Sequence, residues 1–102
     1  MPYFIMTYDL VEDYLTRRTQ YRDQHLLLAR EAHNRDELIL AGALSEPADR
    51  AVLVFHVPKR SIVEEFAKND PYVINGLVRK WEIRPCTVMI GGQSEAPSLS
   101  KS

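Results

Sequence analysis

Two side chains in this sequence have the type and setting for proton transfer. His25 falls in the polar, leucine-rich run from Asp13 to Arg35, and Asp70 falls in Asn69-Asp70-Pro71-Tyr72-Val73, where one helix is predicted to stop and a new turn to start. An imidazole titrates near neutrality, so on an otherwise apolar helix face it is suited to take a proton from a bound molecule. A carboxylate accepting from one ring nitrogen would fix the tautomer and leave the other nitrogen as the base. Both residues also have plainer uses. A histidine on such a face can be a core residue satisfied by one backbone acceptor, and Asp before Pro is what capping a helix start would select by itself.

Arg18 and Arg22 precede His25 by about two turns and one turn, on nearly the same face, where guanidinium groups could hold an anionic or phenolate substrate or simply remain solvated. Tyr8, Tyr72 and Trp81 could line an aromatic slot, or fill the core as such residues commonly do. His33 and His56 are scattered and lack carboxylates at ligand spacing, so no metal site is expected. Cys86 is the one cysteine. With only Arg84 beside it, it reads as a small buried hydrophobe. Neither a phosphate-cradling glycine loop nor a G-x-S-x-G elbow occurs, so no cofactor is expected.

The elements that must position these groups follow from pattern. Tyr3 to Asp9 is a near-continuous apolar run, predicted to be a central strand covered on both faces. From Asp13 the period changes, and Tyr14, Arg18, Tyr21, His25, Leu28 and Ala32 share one face of a single long helix. Arg17, Asp23, Gln24, Arg30 and Glu31 are left in water; Leu26 and Leu27 lie off the stripe. Leu38 to Leu44 reads as a second buried strand, Ser45 to Arg50 as a turn, and Ala51 to Val57 as a third strand in a hairpin with the second. Ser61 and Glu64 have capping-box spacing and open a short helix with Ile62 and Phe66 inward. Asp70 then caps a further turn with Pro71 at its first position and Gly76 closing it. Val78 to Ile90 is the last strand region, and Pro85 within it demands an edge or a bulge. The order β-α-β-β-α-β predicts a ferredoxin-like α+β domain, residues 1–91, with two helices on one face of a four-stranded antiparallel sheet, followed by a Gly/Ser/Pro-rich disordered tail, 92–102.

Composition narrows the partners. The chain has 102 residues, 45% hydrophobic and 26% charged, with a formal net charge of −1. That size suits one domain, and near-neutrality gives no electrostatic footprint for nucleic acid or an anionic membrane. No run reaches the length of a membrane span, and a lone cysteine fits a reducing cytoplasm. Strands apolar on both sides leave one sheet face to cover, which a second copy would do, so a homodimer is expected.

Taken together, the opening strand Tyr3 to Tyr8, Arg22-Asp23-Gln24-His25-Leu26, Leu40-Ala41-Gly42-Ala43-Leu44, and Asn69-Asp70-Pro71-Tyr72-Val73 with Gly76-Leu77 resemble the YCII-related family, small dimeric α/β-barrel relatives of muconolactone isomerases. The resemblance covers about residues 3–90. It implies that His25 and Asp70 form a catalytic pair. One branch of that family removes HCl from a chlorinated hydroxyhydroquinone, which makes a cofactor-free lyase on a small aromatic or quinonoid molecule the implied activity. A lactone isomerase using the same base, and a non-catalytic ligand-binding or regulatory module, are the alternatives.

Overall fold

The computed structural model describes residues 1–92; beyond Gly92, the expected tail lies outside the described residues. Strand β1 (Tyr3–Leu10) is followed by a short helix α1 (Tyr14–Arg17), a 3-10 turn (Arg18–Gln20), helix α2 (Arg22–Asn34), strands β2 (Leu38–Ala43) and β3 (Arg50–His56), helices α3 (Arg60–Asn69) and α4 (Pro71–Ile74), and strand β4 (Val78–Cys86). All pairings are antiparallel and the strand order is β2-β3-β1-β4. The fold is therefore the expected α+β arrangement with β1 in the middle and the Pro85-bearing strand at an edge. Among the described residues, no helix is long and apolar enough to cross a membrane.

Strand alternation separates the two sheet faces. Phe4, Met6, Tyr8 and Leu10 of β1 point to the helices and join Leu53, Phe55, Val63, Phe66, Ala67, Tyr72, Leu77 and Ile83 in one core cluster. Ile5 and Thr7, opposite Val54 and Val52, point the other way. One polar tie crosses the core: the buried Tyr8 hydroxyl donates to Asp70 Oδ2 at 2.7 Å, joining the central strand to the start of α4.

Four expectations are corrected. The long first helix breaks at Tyr21 (φ −115°, ψ −1°). No proline or glycine causes this. Thr16 and Thr19 are weak helix formers, while Tyr14 set edge-on against Tyr72 and Arg17 bonded to the carbonyls of Asn75 (2.9 Å) and Gly76 (3.4 Å) hold the first segment on α4. Arg17 is consequently not left in water. Strand β2 is a bare edge rather than a buried strand. Only Leu38 in it is buried, and Leu40 is 58% exposed, because a short apolar run reads alike in either setting. Finally, Ser61 does not cap α3, which begins at Arg60 with extended Lys59 as its N-cap, two residues before the expected cap. The Arg60 guanidinium donates to the carbonyl of Ile83 and anchors that start.

The end of α4 follows its sequence signal. Gly76 adopts φ +78°, Leu77 N–H bonds Tyr72 O at 2.9 Å and Gly76 N–H bonds Val73 O at 3.2 Å, a Schellman ending. A Cβ at Gly76 would meet only Arg17 Nη2 at 3.7 Å, so crowding is not the issue; the left-handed backbone is. Gly76→Ala should cost about 1–2 kcal/mol, read as a melting temperature lower by about 4–8 °C per kcal/mol. Gly42→Ala, in a strand with nothing within 4 Å, should leave the melting temperature unchanged or raise it.

Tyr8 generates a second expectation. Burial first, then the charge of Asp70 and the hydrogen bond to it, push its phenol well above the ordinary tyrosine range. Above about pH 10 the unfolded chain releases this proton while the folded chain retains it. Unfolding is then favoured, so stability falls as pH rises beyond that point. Tyr8→Phe should lower stability at neutral pH by about 1–3 kcal/mol, through the carboxylate oxygen it strands. It should also show a shallower alkaline decline in urea melts between pH 7 and 11; equal slopes would remove Tyr8 as the cause.

Candidate functional site

Asp70 has an extended backbone (φ −74°, ψ 121°) that ends α3 and starts α4, and Pro71 follows at the first helical position. Its side chain is completely buried. Oδ1 accepts the backbone N–H of Tyr72 at 3.0 Å, the ordinary cap bond, and lies 2.8 Å from His25 Nδ1; Oδ2 accepts from Tyr8. Capping and pairing with His25 thus occur together. An ionised carboxylate only accepts, so Nδ1 carries the proton in this contact, and in the neutral imidazole Nε2 holds the lone pair.

His25 stands in the first part of α2, 15% exposed, its ring stacked on Tyr72 with centroids 3.9 Å apart and planes 10° from parallel. Nε2 has no hydrogen bond to a described residue, and no buried side-chain nitrogen or oxygen among the described residues lacks a partner. Nε2 is therefore reachable by solvent. A base candidate needs this combination: one nitrogen fixed by a carboxylate, the other free toward a space a substrate can enter.

That space is a cavity of about 260 Å³ between the sheet and the broken first helix. Tyr8, Leu10, Ala51 and Leu53 form its floor, and Ala41, Gly42 and Ala43 of the bare edge strand form a low wall. Tyr14, Arg18, Arg22, His25, Leu26, Ala29 and Tyr72 lie across from the sheet. Asp70 is behind the imidazole and does not line the cavity. Arg18 and Arg22 have no carboxylate partner among the described residues. The Arg18 guanidinium instead lies 5.6 Å from the centre of the Tyr14 ring. Burial, helped by Tyr14, pushes the Tyr72 phenol up to about 12, although Arg18 and Arg22 pull it down. At neutral pH it is an uncharged donor.

The structure therefore brings His25, Arg18, Arg22, Tyr8 and Tyr72 to one cavity, with Asp70 hydrogen-bonded to three of them, Tyr8, His25 and the Tyr72 amide. Trp81 is not brought to this cavity. It sits opposite Tyr8 in register but on β4, whereas the cavity opens on the β3 and β2 side of β1, so Trp81 packs on the core away from it. Tyr14 and Leu26 were missed as lining residues. Tyr14 shares the helical stripe with His25, which could have flagged it; Leu26 lies off that stripe and enters because the break at Tyr21 resets the face. His33 Nδ1 bonds Leu38 O at 2.7 Å. His56 Nε2 bonds Met1 O at 2.8 Å, with its ring stacked on Tyr3. Both histidines tie local structure. Among the described residues no three His, Cys, Asp or Glu side chains gather as metal ligands.

Several solved structures resemble this fold, and two of them are informative. A 5-chloro-2-hydroxyhydroquinone dehydrochlorinase (TftG) from Burkholderia phenoliruptrix, solved in complex with 2,5-dihydroxybenzoquinone, superposes with a TM-score of 0.69 at 16% identity, over 80% of this chain and 90% of that one. A candidate antibiotic biosynthesis monooxygenase from Deinococcus radiodurans superposes with a TM-score of 0.55 at 11% identity, over 94% of this chain and all of that one (100%). No curated protein matches the sequence. At such identities the likenesses establish a shared fold and leave chemistry to the site. The sequence itself goes further, since the model of the YCII-related domain matches residues 1–87, and the chain belongs to that family.

Proposed function

We propose that the protein is a cofactor-free lyase that eliminates HCl from a small chlorinated hydroxyhydroquinone, with His25 as the general base and Asp70 as the residue that positions it. The observation that carries this reading is the 2.8 Å contact between His25 Nδ1 and the buried Asp70 carboxylate, with Nε2 left open on a cavity walled by two unpaired arginines. The likeness to a dehydrochlorinase solved with a quinone supports the choice of substrate.

The chemistry balances without an external oxidant. A ring hydroxyl gives its proton to Nε2, and the ring carbon bearing chlorine takes up a proton and becomes tetrahedral. A second hydroxyl proton is then removed as the C–Cl electron pair leaves with chloride. Two O–H protons are lost, one is placed on carbon, and the net loss is HCl with a quinone formed. The imidazole serves both transfers, first accepting and then returning a proton, and Asp70 stabilises its charged form.

In this proposal Asp70→Asn keeps the fold, because Asn is an equally good N-cap and the Tyr8 hydroxyl can turn to accept from the new amide. Turnover should nevertheless fall by about 10² or more, since support for the imidazolium is lost. His25→Ala should lose at least as much, and the double variant should be barely worse than His25→Ala. Chloride release and quinone absorbance measure the rates, with a melt for each variant. Undiminished turnover in both single variants would sink the dyad.

We also infer a homodimer formed by the sheet face away from the helices. Ile5, Val52 and Val54 supply an apolar centre on that face, and Leu40 beside them is exposed. Sedimentation at micromolar concentration should give twice the chain mass, and Val54→Lys should shift the population to monomer. A monomeric parent at every concentration would remove this part of the proposal.

A further inference from the structure

We propose that the cavity selects its substrate as a ring oxyanion, a phenolate or enolate, held by Arg18 and Arg22 with the Tyr72 hydroxyl as a neutral donor beside them. This rests on the preceding reading for the location of the site, but it concerns binding and stands or falls without turnover.

Three observations carry it. The titratable side chains lining the cavity are Tyr8, Tyr14, Arg18, Arg22, His25 and Tyr72; the Asp70 carboxylate is hidden behind the imidazole and already accepts three hydrogen bonds. The lining thus carries two fixed positive charges and no exposed negative one. Next, neither guanidinium has an ion pair among the described residues, although Arg17, one position before Arg18, bonds two carbonyls and lies 3.9 Å from Asp13. The arginine that no carboxylate or carbonyl of a described residue holds is the one that lines the cavity. Last, the rest of the lining is mostly apolar, and the short side chains of Ala29, Ala41, Ala43 and Ala51 leave room for a planar ring. Guanidinium groups recognise such an oxygen by charge-assisted hydrogen bonds, which strengthen where water is partly excluded. The high phenol pKa of Tyr72 keeps it protonated next to that anion, so it donates instead of repelling.

The consequence for the reaction is a division of labour. The oxyanion enters already ionised at the arginine side, and Nε2 of His25 meets a different, still protonated hydroxyl of the same ring. A substrate with one hydroxyl would bind and not react, while a polyhydroxylated ring would do both.

The probe is nitrocatechol, whose neutral and ionised forms differ in colour. Titrated against the full chain, bound nitrocatechol should ionise at least one pH unit below free nitrocatechol, a tenfold preference for the anion. Arg18→Gln and Arg22→Gln should each remove much of that shift, and the double variant nearly all of it. Tyr72→Phe, which keeps the ring stacked on His25, should reduce it. His25→Gln should retain it, which separates the arginines from a protonated imidazole. No binding, an unshifted ionisation, or an unaltered shift in the double arginine variant would each overturn the proposal. A shifted probe with no HCl elimination would leave the anion site standing and reject the lyase; elimination with no shift would do the reverse.

Discussion

The Asp70 carboxylate is the constraint on which the site depends. An ionised group with no exposed surface costs several kcal/mol unless its oxygens are fully bonded. Here the donors come from three separate places: the central strand through Tyr8, the first helical region through His25, and the new helix through the Tyr72 amide. Satisfying that one carboxylate fixes where α2 lies against α4, and where both lie over β1. The imidazole inherits its orientation from the same bonds, with Tyr72 closing the arrangement by stacking on the ring that its neighbour holds.

Stability alone does not call for this solution. A well-packed apolar group of similar volume can be as stable as a buried ionic cluster, and a cap bond needs only a short polar side chain at the surface. On the proposed function, driving the capping carboxylate into the core beside a phenol and an imidazole is accounted for by what it does to His25, namely holding Nδ1 and freeing Nε2, and the break in the first helix serves the same end. Arg17 and Tyr14 pin the first segment onto α4, and the break lets Arg18, Arg22 and Leu26 face the same cavity.

Local chemistry was legible in the sequence, and tertiary choice was not. The apolar run of β1, the β2–β3 hairpin, the Asp70-Pro71 start, the Gly76 ending and the edge or bulge signalled by Pro85 all rest on signals a few residues long. The helix break at Tyr21 left only the weak mark of Thr16 and Thr19, because the segment is held by packing against residues 58 positions further on. Ser61 had the right spacing for a cap, but the anchoring of Arg60 onto β4 moved the helix start past it. Exposure of β2 was illegible for another reason: an apolar strand reads the same whether covered by its own chain or left for a partner. In the site, His25 and Asp70 stood out by residue type, whereas the hydrogen bond from Tyr8 required knowing the sheet register. Trp81 marks the limit of that logic, since alternation puts it beside Tyr8 but cannot say on which side of β1 the cavity opens.

Fold likeness does not choose the chemistry here, because the same frame superposes on a dehydrochlorinase and on a candidate monooxygenase. What distinguishes one use of the frame from another is the lining of the space over the sheet. In this chain the lining combines an imidazole backed by a buried carboxylate, two arginines, a phenol and several short apolar side chains. Proton removal from a polyhydroxylated ring needs each of these at once: a base for the departing proton, positive charge for the electrons that proton leaves behind, and a slot that keeps ring, base and cations in one plane. A module that only bound such a ring would need the slot and the cations. It would gain nothing from a carboxylate buried at the back of the imidazole, and that carboxylate is what tips the reading from binding toward catalysis.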